Sequence, residues 1–103
     1  MNARYVFLIA ASALSILSGC TSTPSAPPVN AGMVKESVTQ QQLNEGRSLF
    51  VSRCIECHVL PEIAEHSANE WPHLVDTMAK RADLKAEEHR AVIAYLLAAR
   101  SEL

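Results

Sequence analysis

A chain of 103 residues has room for one small domain and no more. Eleven acidic side chains against nine basic ones leave a formal charge of −2, and with no basic excess the composition argues against a nucleic-acid partner. Of the five aromatic residues, Tyr5 and Phe7 fall at the very start, so Phe50, Trp71 and Tyr95 must serve a domain whose size already limits burial.

The first element reads as an export signal. Asn2-Ala3-Arg4 is a short, positively charged leader, and Tyr5 to Ile16 is an apolar run of about twelve residues where a membrane span needs about 20. The run ends in Leu17-Ser18-Gly19-Cys20, which resembles the lipobox of bacterial lipoproteins. That resemblance implies removal of residues 1–19, a diacylglyceryl group on Cys20 and, as a rule, a further acyl chain on its new amino terminus. One acyl chain binds a membrane only marginally, whereas two or more hold it stably. Thr21, where an Asp would imply retention at the inner membrane, implies the periplasmic face of the outer membrane instead. Loss of Arg4 leaves 8 basic against 11 acidic side chains, a mature charge of −3.

Residues 20–38 carry Pro24, Pro27 and Pro28 among Ser, Thr, Ala and Gly, with no hydrophobic period, and read as a flexible tether. Met33 within it is expected to be solvated. The folded domain is expected over 39–103. Its first helix is expected from about Gln40 to Arg53, with Thr39 and Gln42 spaced as a capping box. Leu43, Gly46, Leu49, Phe50 and Cys54 share one face. A mid-helix Gly costs about 1 kcal/mol relative to Ala, so Gly46 suggests the close approach of another helix.

That helix runs into Cys54-Ile55-Glu56-Cys57-His58. The spacing Cys-x-x-Cys-His is that of c-type haem attachment: two thiols reach neighbouring vinyl groups of one porphyrin, and the next residue offers an imidazole to the iron. The same pair could form a disulfide, a redox dithiol or half of a zinc site. A redox dithiol is expected beside a strand–helix–strand pattern, which is missing, and structural zinc needs four ligands, for which there is no second Cys pair. With Cys20 lipidated and Cys54 and Cys57 joined to haem, all three cysteines have a use.

Beyond the motif, Pro61 ends any helix, and Glu62 to Ala68 reads as a short polar loop. A second helix is expected to start near Ser67 to Glu70, again a capping box, with Pro72 in its first turn. Trp71, Leu74, Val75 and Met78 share a face, Trp71 and Met78 lying only about 20° apart around it. Such a stripe is ordinarily core. Yet a haem iron wants a sixth ligand, and Met78 is the only Met of the folded part. The rivals are His66 in the loop, His73 about 140° round the helix from Met78, and His89 among charges; exposure is expected for each. A third helix is expected over about Ala86 to Ala99, with Glu87 and Glu88 at its positive end and Val92, Ile93, Tyr95, Leu96 and Leu97 as its buried stripe.

The run from Glu45 to His58 resembles the N-terminal helix of class I cytochromes c, and Val92-Ile93-Ala94-Tyr95-Leu96 resembles their C-terminal helix. The likeness covers about residues 40 to 100. It implies an all-α cytochrome c fold, three main helices around one covalently bound haem c, with Gly46 at the helix crossing and Phe50 against Tyr95. It also implies His58 as proximal ligand, and a proline carbonyl, for which Pro61 is nearest, accepting the Nδ1–H of that imidazole. Trp71-Pro72-His73-Leu74-Val75-Asp76-Thr77-Met78 is similar to the segment in which small bacterial members place their distal Met, which sets Trp71 beside the cofactor and makes Met78 its ligand. Two axial ligands leave no position for oxygen. The expectation is therefore a monomeric, membrane-tethered carrier of single electrons between redox proteins, not an enzyme. The alternatives are a haem-based sensor with a labile sixth ligand, or the haem subunit of a larger oxidoreductase.

Overall fold

The computed structural model describes residues 26–56 and 59–103. The signal, the lipobox with Cys20 and the first part of the tether lie outside the described residues, as do Cys57 and His58. The described residues form an all-α domain of three helices: α1 (Gln40–Arg53), α2 (Glu70–Arg81) and α3 (Ala86–Ser101). Single 3₁₀ turns occur at Ala31–Met33, Cys54–Glu56 and Ile63–Glu65. Among the described residues no helix is long and apolar enough to cross a membrane.

Each helix begins where a donor is satisfied. The Thr39 hydroxyl accepts from the Gln42 amide at 3.1 Å. Ahead of α2, Ser67 and Glu70 bond reciprocally: the Ser67 amide donates to the Glu70 carboxylate at 2.6 Å, and the Glu70 amide to the Ser67 hydroxyl at 3.3 Å. The Ser67 donors hold the Glu70 carboxyl below its ordinary pKa. Its contribution to stability is therefore complete above the unfolded value and lost as pH falls through the lowered one. Helix α3 has no side-chain oxygen at the residue just before it, Lys85. Instead the Glu88 carboxylate reaches back to the Lys85 amide at 2.9 Å.

The core is the α1–α3 crossing, with α2 laid across α3. A Cβ built on Gly46 would stand 2.0 Å from the Ala91 carbonyl oxygen and 2.9 Å from the Tyr95 Cβ. Only hydrogen fits at that point. Beside it Phe50 meets Tyr95, ring centroids 6.2 Å apart, and Trp71 edge-on at 6.3 Å. Leu43, Val92 and Leu96 close the cluster, all fully buried. Ile93 and Leu97, expected in the buried stripe, pack only half-buried against it, and Ala91 and Ala99 take the inner positions.

Residues 26–38 depart from the tether expected of them. Ala26 is wholly buried and Met33 is 2 % exposed, so this Met belongs to the core and not to solvent. The Arg47 guanidinium donates to the Ala26 and Pro27 carbonyls at 2.9 to 3.2 Å, and the Tyr95 hydroxyl to Pro27 O at 2.7 Å. Burial pushes the Tyr95 phenol up to about 12. The loop after the motif also differs from a purely polar one, because Ile63 is 2 % exposed.

Helix α2 ends in a left-handed cap. Asp83 has φ 53°, and the Leu84 amide donates back to the Ala79 carbonyl at 3.0 Å. A residue with a Cβ is strained there, Asp less than most. Asp83→Gly is therefore expected to raise stability by about 0.5–1 kcal/mol, read as a higher melting temperature, and Asp83→Val to lower it.

Candidate functional site

The site is built where α1 stops. Its last residue is Arg53; the next, Cys54, opens a single 3₁₀ turn and is 6 % exposed. An Arg53 Nη donates to the Ala82 carbonyl, tying the end of α1 to the cap of α2 beside the first cysteine. Nothing in the sequence signals this bond, since its acceptor is a backbone oxygen. The apolar side chains in and just after the motif are exposed: Ile55 is 53 % exposed and Val59 is 85 % exposed. Cys54, Leu60, Ile63 and Trp71, by contrast, are buried members of the core cluster.

Of the residues singled out from the sequence, Cys54 and Trp71 are thus brought into one apolar cluster, and Met78 packs half-buried against it. Trp71 is held by its Nε1–H, which donates to the Ile63 carbonyl at 3.1 Å and so ties the loop after the motif to α2. Pro61 is half-buried and outside the cluster. Trp71→Phe would keep most of the apolar contact and remove this one buried bond while leaving the Ile63 carbonyl short of a donor. The expected loss is about 1–3 kcal/mol of stability, measured by thermal melting.

Two of the three histidines that rival Met78 differ from the exposure expected of them. His66 is half-buried, its ring edge-on to Trp71 at 5.2 Å, and its carbonyl accepts from Arg100 Nε at 3.0 Å. His89 is half-buried and its Nε2 lies 2.7 Å from the Asp76 carboxylate, linking α3 to α2. His73 is exposed, as expected. Sequence spacing gives no sign of either contact, because each joins residues from different elements.

Among the described residues no three His, Cys, Asp or Glu side chains are gathered as a metal cage. A haem site does not need one: its protein ligands are one His and one Met, and its anchors are two thiols. The described part of the site fits such a group. The Cys54 thiol is buried in an apolar cluster, Ile55 within the motif and Val59 just after it are exposed, and a half-buried thioether, Met78, stands on the adjoining helix. A flat apolar macrocycle is the kind of body that would cover Ile55 and Val59. Comparison with protein-family models, with curated proteins and with solved structures gives no match.

Proposed function

We propose that this chain is a lipid-anchored, monohaem c-type cytochrome of the class I type that passes single electrons between redox proteins at the periplasmic face of a bacterial outer membrane. The observation that carries the reading is the Cys54-Ile55-Glu56-Cys57-His58 sequence at the end of a helix that crosses α3 through Gly46, with Phe50 and Tyr95 packed at the crossing. The haem, when bound, supplies a one-electron iron couple. Cys54 and Cys57 would anchor it by thioether bonds, and His58 and Met78 would ligate its iron. Trp71, fully buried and fixed by Ile63, keeps water from the inner side of the site. Pro61, three residues after His58 in the chain, would offer a carbonyl to the proximal imidazole, a bond of the kind that orients and strengthens a ligating His. The Cys20 lipid keeps the domain at a membrane surface, where effective concentration replaces tight docking.

The test is expression of the full chain in a host able to mature c-type cytochromes. Expected are haem staining that survives a denaturing gel, no alkylation of Cys54 or Cys57, and acyl groups on Cys20 by mass spectrometry. A colourless product with both thiols reactive would overturn the haem reading. Carbon monoxide binding to the reduced protein would turn it towards a sensor with a labile sixth ligand.

A further inference from the structure

We infer that residues 26–38 are a docked strap, so that the lipid on Cys20 holds the helical domain directly against the membrane surface. The inference rests on the lipid-anchor reading above and changes what the anchor does. The strap is fixed at both ends. At its start, Ala26 is wholly buried, and the Ala26 and Pro27 carbonyls accept from Arg47 on α1 and Tyr95 on α3, side chains that stand at the helix crossing. Along its length, Met33 is buried, the Met33 amide donates to Asn30 O at 3.1 Å, and Lys35 and Val38 exchange backbone bonds at 3.0 and 3.3 Å. At its end, Thr39 caps α1. No slack lies between strap and helix.

The consequence is one of reach. A polypeptide spans at most about 3.5 Å per residue. From Cys20 to Thr39 that is about 65 Å, enough for a free domain to search widely. From Cys20 to Ala26, the first described residue and a docked one, it is at most about 20 Å, less than the diameter of about 30 Å expected for a domain of this size. The domain therefore stays within about 50 Å of the lipid headgroups, leashed from the Arg47–Tyr95 side. Any protein that exchanges electrons with it must present its own site inside that layer.

The experiment uses the mature lipoprotein on a supported bilayer of phosphatidylethanolamine and phosphatidylglycerol. Neutron reflectometry reads the thickness of the protein layer, and hydrogen exchange reads the Met33 and Val38 amides. Expected are a layer confined to about 50 Å and slowed exchange at both amides. Arg47→Ala with Tyr95→Phe should speed that exchange and spread the layer as far as a twelve-residue Gly/Ser insertion after Ser25 does. Tyr95→Phe alone keeps the ring in the core, and serves if the double variant does not fold. A wild-type layer as broad as that of the insertion variant, or exchange at random-coil rates, overturns the strap. A chain that lacks acyl groups and fails to adsorb overturns the anchor and the leash together, while the amides of a docked strap would still be slow.

Discussion

Gly46→Ala is expected to lower the melting temperature by about 15 °C, the equivalent of about 3 kcal/mol in a domain this small. An added Cβ would sit 2.0 Å from the Ala91 carbonyl oxygen and 2.6 Å from its carbon, well inside contact distance. Both are backbone atoms of α3, so no side chain can swing aside. The helices must separate, and separation opens the Phe50–Tyr95 contact at the centre of the core. Overpacking costs about 1–3 kcal/mol where neighbours can yield and more where they cannot. Against this stands a gain of about 1 kcal/mol in helix propensity. The steric term wins because the partner is rigid. Asn44, exposed on the same helix, is the control: Asn44→Ala should shift stability by no more than about 0.5 kcal/mol either way. Equal melting of the two variants would mean that the crossing is looser than the 2.0 Å approach implies.

The parts of the fold that were legible in the sequence were those written in side-chain chemistry at fixed spacing. Thr39 and Ser67-x-x-Glu70 mark the starts of two helices because a hydroxyl or carboxylate must satisfy a free amide there. Leu43, Gly46 and Phe50 mark the buried face of α1 because they recur at helical spacing. The strap was illegible for the opposite reason. Its bonds are made by the carbonyls of Ala26 and Pro27, which every residue possesses, and its donors Arg47 and Tyr95 lie 20 and 68 positions from Pro27. A run of Pro, Ser, Ala and Gly looks the same whether it is solvated or laid on a surface. The start of α3 was legible from Glu87 and Glu88 in its first turn, although the bond that caps it, from the Lys85 amide to Glu88, was not, since Lys85 is no capping residue. At the candidate site, Cys-x-x-Cys-His and the face shared by Trp71, Val75 and Met78 were legible as motif and period. The His66–Trp71 and His89–Asp76 contacts were not, because they join residues of separate elements.

Met78→Ala carries the second large effect, and it should appear in the spectrum before it appears in the stability. Met78 is half-buried against the core, so truncation should cost less than the 2–5 kcal/mol of a fully buried Met, about 1–2 kcal/mol. Leu74, on the same helix and half-buried in the same way, should lose about as much when truncated to Ala. The two variants therefore separate packing from ligation. With Met78 as sixth ligand, Met78→Ala loses the long-wavelength ferric band of thioether coordination, lowers the midpoint potential and lets the reduced protein bind carbon monoxide, whereas Leu74→Ala does none of these. His66, half-buried beside Trp71, supplies the decisive counter-test. If Met78→Ala keeps the wild-type spectrum and His66→Ala changes it, the distal ligand is His66. The iron would then have two nitrogen ligands, a lower potential, and a site in which the edge contact with Trp71 fixes the ligating ring.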